Sequence, residues 1–277
     1  MCSEILEPKY PTSTNTKTIV PTIPHDIIDE ILDHLATDSD VSGSLFPSTF
    51  ASLRACALVS KAWVQSCQRH LFHIVDFTSK NADRWPKTFP VPEESPAHRV
   101  RNLRVRIGGI GCVPENLFEF TQWFSNTEKI SLIGYGGAPP LRRPSLWRLP
   151  QSVTTLFVNT DAINLAQVRD VMVQLPNLDS LTLSGTLAAT DRKELPGIGT
   201  AVRGRFGGKL ILYSEDDCKD VVNMLLEIPS GLHFTEAWIY YQREHLLSTI
   251  RLVEAFGRTL VKLSQRVASQ GKPRHFS

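Results

Sequence analysis

The fold is decided by Leu149-Pro150-Gln151-Ser152-Val153-Thr154-Thr155-Leu156-Phe157-Val158 and by its near-copy, Leu175-Pro176-Asn177-Leu178-Asp179-Ser180-Leu181-Thr182-Leu183. In both, a Leu-Pro pair precedes an apolar residue, which is followed by two more apolar residues three and five positions later. Such alternation is typical of a β-strand with one buried face. The two copies therefore predict a structural unit that occurs at least twice.

Working outward, the same alternation predicts six strands, at 100–107, 129–133, 153–158, 178–183, 209–212 and 237–240. Their corresponding positions are Leu103, Ile130, Leu156, Leu181, Leu210 and Ile239. These positions are separated by 27, 26, 25, 29 and 29 residues. A step of that size indicates a strand–helix repeat, because each unit is one supersecondary element that stacks on the next.

Helix-like segments lie between the predicted strands, at 115–124, 165–175, 215–228 and 243–256. Pro114 suits the start of the first segment, and Pro176 follows the second. A strand–helix unit buries its apolar face only against its neighbours. We therefore predict an α/β arc of strands with helices behind them over residues 99–265. An α/β sheet domain of similar rhythm is the structural alternative.

Residues 23–75 follow a different pattern and predict three short helices. Ile23 and Pro24 precede the first helix, whose apolar positions recur at spacings of three and four. A second helix is predicted over 49–59, and Ser60 is suited to capping a third helix that carries Trp63. Three short helices in about 50 residues form a marginal core by themselves. Part of their apolar surface is expected to contact something else, and periodicity alone favours packing against the rest of the chain over a separate partner.

The residue identities in this region resemble the F-box motif, most closely that of divergent F-box-like proteins of mushroom-type fungi. The resemblance lies in Ile23-Pro24, in Leu53-x-x-Cys56-Ala57-Leu58-Val59-Ser60-Lys61-x-Trp63 and in Leu71-Phe72. It implies three helices that dock on the Skp-type linker protein of a cullin-RING ubiquitin ligase. The positions that it implies for linker binding are Ile23, Pro24, Ile27, Ile28, Ile31, Leu32, Leu35, Leu53, Cys56, Val59, Ser60 and Trp63. Trp63 is expected to act more as internal core than as a contact.

The region 99–265 is similar to the irregular leucine-rich repeats of the same family. Regular repeats carry Asn or Cys after the strand pattern, with two residues between, whereas Gly108, Asp161 and Thr186 stand there in this chain. The resemblance therefore implies a degenerate repeat domain that presents a target protein through the loops at the strand ends. Catalysis would belong to other subunits of the ligase, and no cofactor is implied.

Composition is that of an ordinary globular protein, with 277 residues, 42% hydrophobic residues and a net charge of +2. That charge is too small to indicate a nucleic-acid or membrane-surface partner by itself. No apolar run approaches the roughly 18 residues of a membrane span. Five cysteines without a CxxC pair favour a reducing compartment, cytoplasmic or nuclear. Residues 1–22 are predicted to be a disordered tail, 76–98 a linker and 266–277 a flexible tail.

The sequence gives little support for a zinc site, an acidic catalytic site, a phosphate-binding loop or a nucleic-acid interface. Cys67, His70 and His73 lie within two helical turns, but no fourth zinc ligand is near them, and Cys67 falls on the apolar stripe. The run 215–217 is acidic and follows Ser214, which is typical of a helix N-terminus. None of the glycine clusters has a complete phosphate-loop pattern. The arginines of 99–106 alternate with apolar residues, as on the solvated face of a strand.

Two alternatives to the ligase-adaptor hypothesis remain from the sequence. The first is an F-box protein that binds the linker but serves as a scaffold outside a ligase. The second is an unrelated α/β enzyme. An exposed apolar helix face distinguishes the enzyme from the other two, because an enzyme has no reason to leave such a face uncovered.

Overall fold

The structure is a computed structural model that describes residues 23–36, 47–78, 80–107, 121–134, 148–159, 164–185, 206–213, 218–226, 232–241 and 246–267. Several predictions fall outside these residues: the tail 1–22, most of the helix 115–124 and the acidic run 215–217. The same holds for Gly108, Asp161 and Thr186, which replace the Asn or Cys of regular repeats.

Three helices form the N-terminal unit: α1 (His25–Ala36), α2 (Pro47–Val59) and α3 (Lys61–Leu71). Asp26 lies in the first turn of α1, where a carboxylate is stabilised by the helix dipole. The Ser60 side chain caps α3 by accepting a hydrogen bond from the Ala62 backbone N–H at 3.2 Å. The three helices pack on one another around a small apolar core of their own.

The rest of the described chain is built on one eight-stranded parallel sheet. Its strands are β1 (Ile74–Phe77), β2 (Asn102–Ile107), β3 (Lys129–Gly134), β4 (Thr155–Asn159), β5 (Ser180–Ser184), β6 (Phe206–Tyr213), β7 (Leu232–Tyr241) and β8 (Lys262–Val267). The strands follow one another across the sheet in sequence order. An α/β class was predicted, and the parallel sheet with its helices confirms it.

The strand register aligns apolar residues into two rows that cross the sheet. One row contains Val75, Leu103, Ile130, Leu156, Leu181, Leu210, Ala237 and Leu263. The other begins at Phe77 and contains Val105, Leu132, Val158, Leu183, Leu212 and Ile239. Every member is buried except Leu263 on the last strand, which is exposed. Burial is lost at the β8 edge, where no further strand follows among the described residues.

The register corrects the position assigned to Ile239. Ala237, not Ile239, is the partner of Leu210, and Ile239 pairs with Leu212 in the second row. The pairing also shifts between Gly208 and Lys209, where β7 contains one residue more than β6. The residue that continues the row is the small Ala237, so apolar spacing pointed to the larger Ile239 two residues later.

Within the described ranges, four further α-helices accompany the strands: α4 (Arg84–Thr88), α5 (Leu165–Val173), α6 (Cys218–Leu226) and α7 (Leu246–Phe256). Asn164 and Gln167 form a reciprocal capping box at the start of α5. Buried residues of α5, α6 and α7 belong to the same apolar core as the two strand rows. These helices therefore cover one face of the sheet, and we call the opposite face the far face.

The predicted linker 76–98 is instead part of the folded sheet domain. Phe77, Ala82 and Ala97 of this segment are buried in the main core. The Trp85 ring lies 5.6 Å from that of Phe77 in an edge-to-face arrangement, which closes the β1 end of the sheet. Strands β1 and β8 were both missed in the sequence. Phe72, Val75 and Phe77 carry the full apolar pattern but directly follow the predicted third helix, and β8 has the polar Gln265 at the third position of the pattern.

Side chains in the turns before the strands tie each unit to the previous one. The Ser152 hydroxyl donates to the Thr127 carbonyl oxygen at 2.7 Å, and the Asn177 amide donates to the Gln151 carbonyl oxygen at 2.8 Å. The first bond satisfies a backbone group of Thr127, which is fully buried. These bonds recur at intervals of about one repeat, so they also fix the step between units.

Gly208 should be the glycine on which the sheet depends most. Its φ is +71°, and an added methyl group would overlap the Asp179 carbonyl oxygen. Gly208→Ala is therefore expected to lower the free energy of unfolding by about 3 kcal/mol. Denaturant titration of the whole chain measures this. The control is Gly257→Ala, with φ of +51° and no atom within 4 Å, which should cost about 1 kcal/mol. Equal losses in the two variants would contradict the steric explanation.

Candidate partner-docking surfaces

Helix α1 divides its apolar residues between two sides. Ile28 and Leu32 are almost fully buried, at 1% and 0% exposure, and pack in the core of the helical unit. Ile27 and Ile31 precede them by one position each and are 43% and 40% exposed. Residues four apart lie on the same side of a helix, so the two exposed isoleucines form an apolar stripe beside the core.

Helix α2 shows the same division. Leu53 is buried, and Cys56 packs at the edge of the core. Phe50 at the start of the helix is 41% exposed, whereas Leu58 and Val59 at its end are 89% and 71% exposed. Two adjacent aliphatic side chains this exposed in a packed unit are unusual, since each leaves apolar area in water. We call the exposed apolar residues of α1 and α2, with Ile23 before them, the helical apolar surface.

The structure thus separates the twelve residues implied for linker binding into three groups. The fully buried group is Ile28, Leu32 and Leu53. The group packed half-buried against the core is Leu35, Cys56 and Trp63. The exposed group is Ile23, Pro24, Ile27, Ile31, Val59 and Ser60. Side chains without accessible area cannot touch a partner, so the first group is reassigned to the core.

Phe50 and Leu58 were missed, since only burial distinguishes them from core residues.

Polar contacts fix α1 against α3. The Arg69 guanidinium donates to the Asp33 carboxylate at 2.8 Å and lies 3.8 Å from Asp29. The His70 ring nitrogen Nε2 is 3.1 Å from the same Asp33 oxygen. The pKa of His70 is lowered, because burial disfavours the charged ring and the Arg69 charge repels it. Asp33 favours the protonated ring, but its effect is weaker.

The far face of the sheet presents the side chains that alternate with the buried rows. At its β1 end the Arg106 guanidinium donates to both carboxylate oxygens of Asp76, with Nη2 at 2.6 Å from Oδ2. Arg104 and Lys129 lie on neighbouring strands, two residues apart in register and on the same face. Burial and then the Arg104 charge lower the pKa of Lys129. This face therefore concentrates positive charge in partly desolvated positions. The strand-end loops predicted to hold a target lie largely outside the described residues.

Comparison with models of protein families, with curated proteins and with solved structures gives no match to this chain. Within the described ranges, no helix is both long enough and apolar enough to cross a membrane. In the same ranges, no three His, Cys, Asp or Glu side chains are grouped as metal ligands would be.

Truncation of two neighbouring residues of α1 should distinguish a core residue from a residue of the helical apolar surface by its effect on stability. Leu32→Ala leaves a cavity in the small core and is expected to lower the free energy of unfolding by about 3 kcal/mol. Ile31→Ala removes a half-exposed side chain and should cost less than about 1 kcal/mol. Thermal and denaturant unfolding of the two variants measure the difference. A loss from Ile31→Ala as large as that from Leu32→Ala would refute the division.

Acidification should destabilise the folded chain through His70 and His73. Burial is the main reason that the pKa of each is lowered on folding. The stability that depends on the neutral rings is complete above the unfolded pKa of about 6.5 and is lost as the pH falls through the lowered folded values. Unfolding free energies measured from pH 8 to pH 5 test this. His70→Asn combined with His73→Asn should flatten the dependence, and an unchanged slope would assign it to other groups.

Proposed function

We propose that this protein is an F-box adaptor, which docks on the Skp-type linker of a cullin-RING ubiquitin ligase and brings a target protein to it. The proposal rests on the sequence resemblance of residues 23–72 and is supported by one structural observation above all. The helical apolar surface leaves Ile27, Ile31, Leu58 and Val59 in water beside a complete core. A chain that functions alone gains nothing from such exposure, whereas burial against a partner stabilises a complex.

The shape of the helical unit supports the same role. Leu32, Leu53 and Cys67 hold the three helices together without using Ile27 or Ile31. The docking side chains are therefore presented on a prepacked scaffold, so little conformational entropy is lost on binding. In this proposal the contact residues are the exposed isoleucines of α1 and the exposed end of α2, and Ser60 contributes by capping α3.

The sheet domain fits a binding role as well. Its eight described strands follow one another in sequence order, so none of them marks the reversal of order at which open α/β enzymes bind ligands. Stacked strand–helix units instead provide an extended face for a macromolecule. In the proposed adaptor this domain, of leucine-rich-repeat type, holds the target while the helical unit holds the linker.

Binding of the full chain to a purified Skp-type linker protein tests the docking role. Wild type is expected to form a complex, and Ile27→Asp combined with Ile31→Asp should weaken it at least about a hundredfold, since two apolar contacts become desolvated charges. Isothermal titration calorimetry measures the affinity, and circular dichroism confirms that the variant is folded.

Leu247→Asp provides the matched control, because Leu247 is 77% exposed on α7, outside the helical unit. It should leave linker affinity unchanged. The docking role is refuted if wild type does not bind, or if the folded α1 variant binds as tightly as the control.

A further inference from the structure

The far face of the sheet carries a large excess of positive charge for a protein whose net charge is only +2. Six of the residues that the register assigns to this face are basic: Arg104, Arg106, Lys129, Lys209, Lys262 and Arg266. Only Asp76 and Glu236 are acidic. Asp76 pairs with Arg106, and Glu236 lies 3.8 Å from Lys262, so two acidic residues stand against six basic ones on this face. The face is thus complementary to an anionic partner.

Three of these bases share one register position across the sheet. Lys129 on β3, Lys209 on β6 and Lys262 on β8 lie in the same row, with Thr155, Ser180 and Glu236 between them. Adjacent strands are about 4.8 Å apart, so the five steps from Lys129 to Lys262 span about 24 Å. An extended polypeptide covers that distance with about seven residues.

The C-terminal part of the row is built around one aromatic ring. The ammonium groups of Lys209 and Lys262 each lie 5.2 Å from the centre of the Trp238 ring. Attraction to the ring holds both ammonium groups above the sheet and partly compensates their mutual repulsion. Two cations positioned in this way can bind one carboxylate together, or each can bind a separate carboxylate of one partner chain.

Three aromatic rings of the far face, those of Trp238, Tyr213 and Tyr240, contact other groups of the same face. Trp238 has an ammonium group near its ring on each of two neighbouring strands. Tyr213 and Tyr240 stack on each other, with ring centroids 4.4 Å apart and planes 22° apart. Binding of single strands requires open aromatic faces beside the basic groups. These contacts favour carboxylates over bases as the partner chemistry.

We propose that the far face binds an acidic segment of a protein, which lies across the strands from β3 to β8 with carboxylates at Lys129 and at the Lys209–Trp238–Lys262 cluster. The inference deepens the proposed adaptor function by giving the chemical class of the target, and it depends on that function only in taking the target to be a protein. The acidic segment replaces solvent around charges that are already partly desolvated, so its binding is strongest at low salt.

A fluorescein-labelled eight-residue peptide of alternating glutamate and serine serves as the probe, with fluorescence anisotropy of the full-length chain as the measurement. The glutamate peptide should bind, and its glutamine counterpart should bind at least about tenfold more weakly, since its charge-assisted contacts are lost. Lys209→Gln combined with Lys262→Gln should weaken the glutamate peptide about tenfold. Lys219→Gln combined with Arg251→Gln removes the same charge from exposed positions of α6 and α7 and should leave binding unchanged.

The proposal is overturned if glutamate and glutamine peptides bind alike, or if the far-face variant binds no more weakly than the helix-face control. It is also overturned if an eight-nucleotide oligothymidylate binds more tightly than the glutamate peptide. No linker protein is present in this assay. Loss of peptide binding therefore leaves the docking role intact, and failure of linker binding leaves this result intact.

Discussion

The row of apolar residues from Val75 to Leu263 crosses all eight strands, and it exists because parallel hydrogen bonding holds those strands in one register. Each residue in the interior of the row is buried between the equivalents before and after it. At β8 no further strand follows among the described residues, and Leu263 is left exposed. The common register also requires neighbouring units to lie at a fixed separation. The hydrogen bonds in the turns maintain that separation, and the absence of a side chain at position 208 permits the close approach of Asp179.

Because the sheet domain is stabilised by its rows, the helical unit can keep a separate core. Ile28, Leu32 and Leu53 stabilise that unit internally, and the Arg99 guanidinium joins it to the sheet domain by donating to the Gln65 carbonyl oxygen at 3.0 Å. Separate cores allow separate surfaces. The helical apolar surface and the far face differ in chemistry, one aliphatic and the other cationic, so one chain can hold two unlike partners. That is the physical basis of the adaptor proposal.

Periodicity in the sequence was sufficient to predict most strands, but it did not predict the helical apolar surface or the charged far face. Leu156 and Leu181 were placed correctly because their apolar pattern is complete. Ile239 was placed two residues out of register, because the residue that continues the row, Ala237, is small and Ile239 is the larger apolar residue on the same face. In α1, Ile27 and Ile28 look equivalent in the sequence, and only packing against α2 and α3 decides which of them is buried. The far-face cluster was missed because Lys209, Trp238 and Lys262 are far apart along the chain.

Local sequence patterns were enough to predict the alternating strands, the helix capped by Ser60 and the repeat step of 25 to 29 residues. The sequence also supplied the resemblance in residues 23–72 that motivates the proposed function. The tertiary structure decided which apolar residues of the helices are exposed, made the predicted linker part of the core, and placed three lysines in one row. These features arise from hydrogen bonds and contacts between residues that are distant in sequence, and no local pattern encodes those.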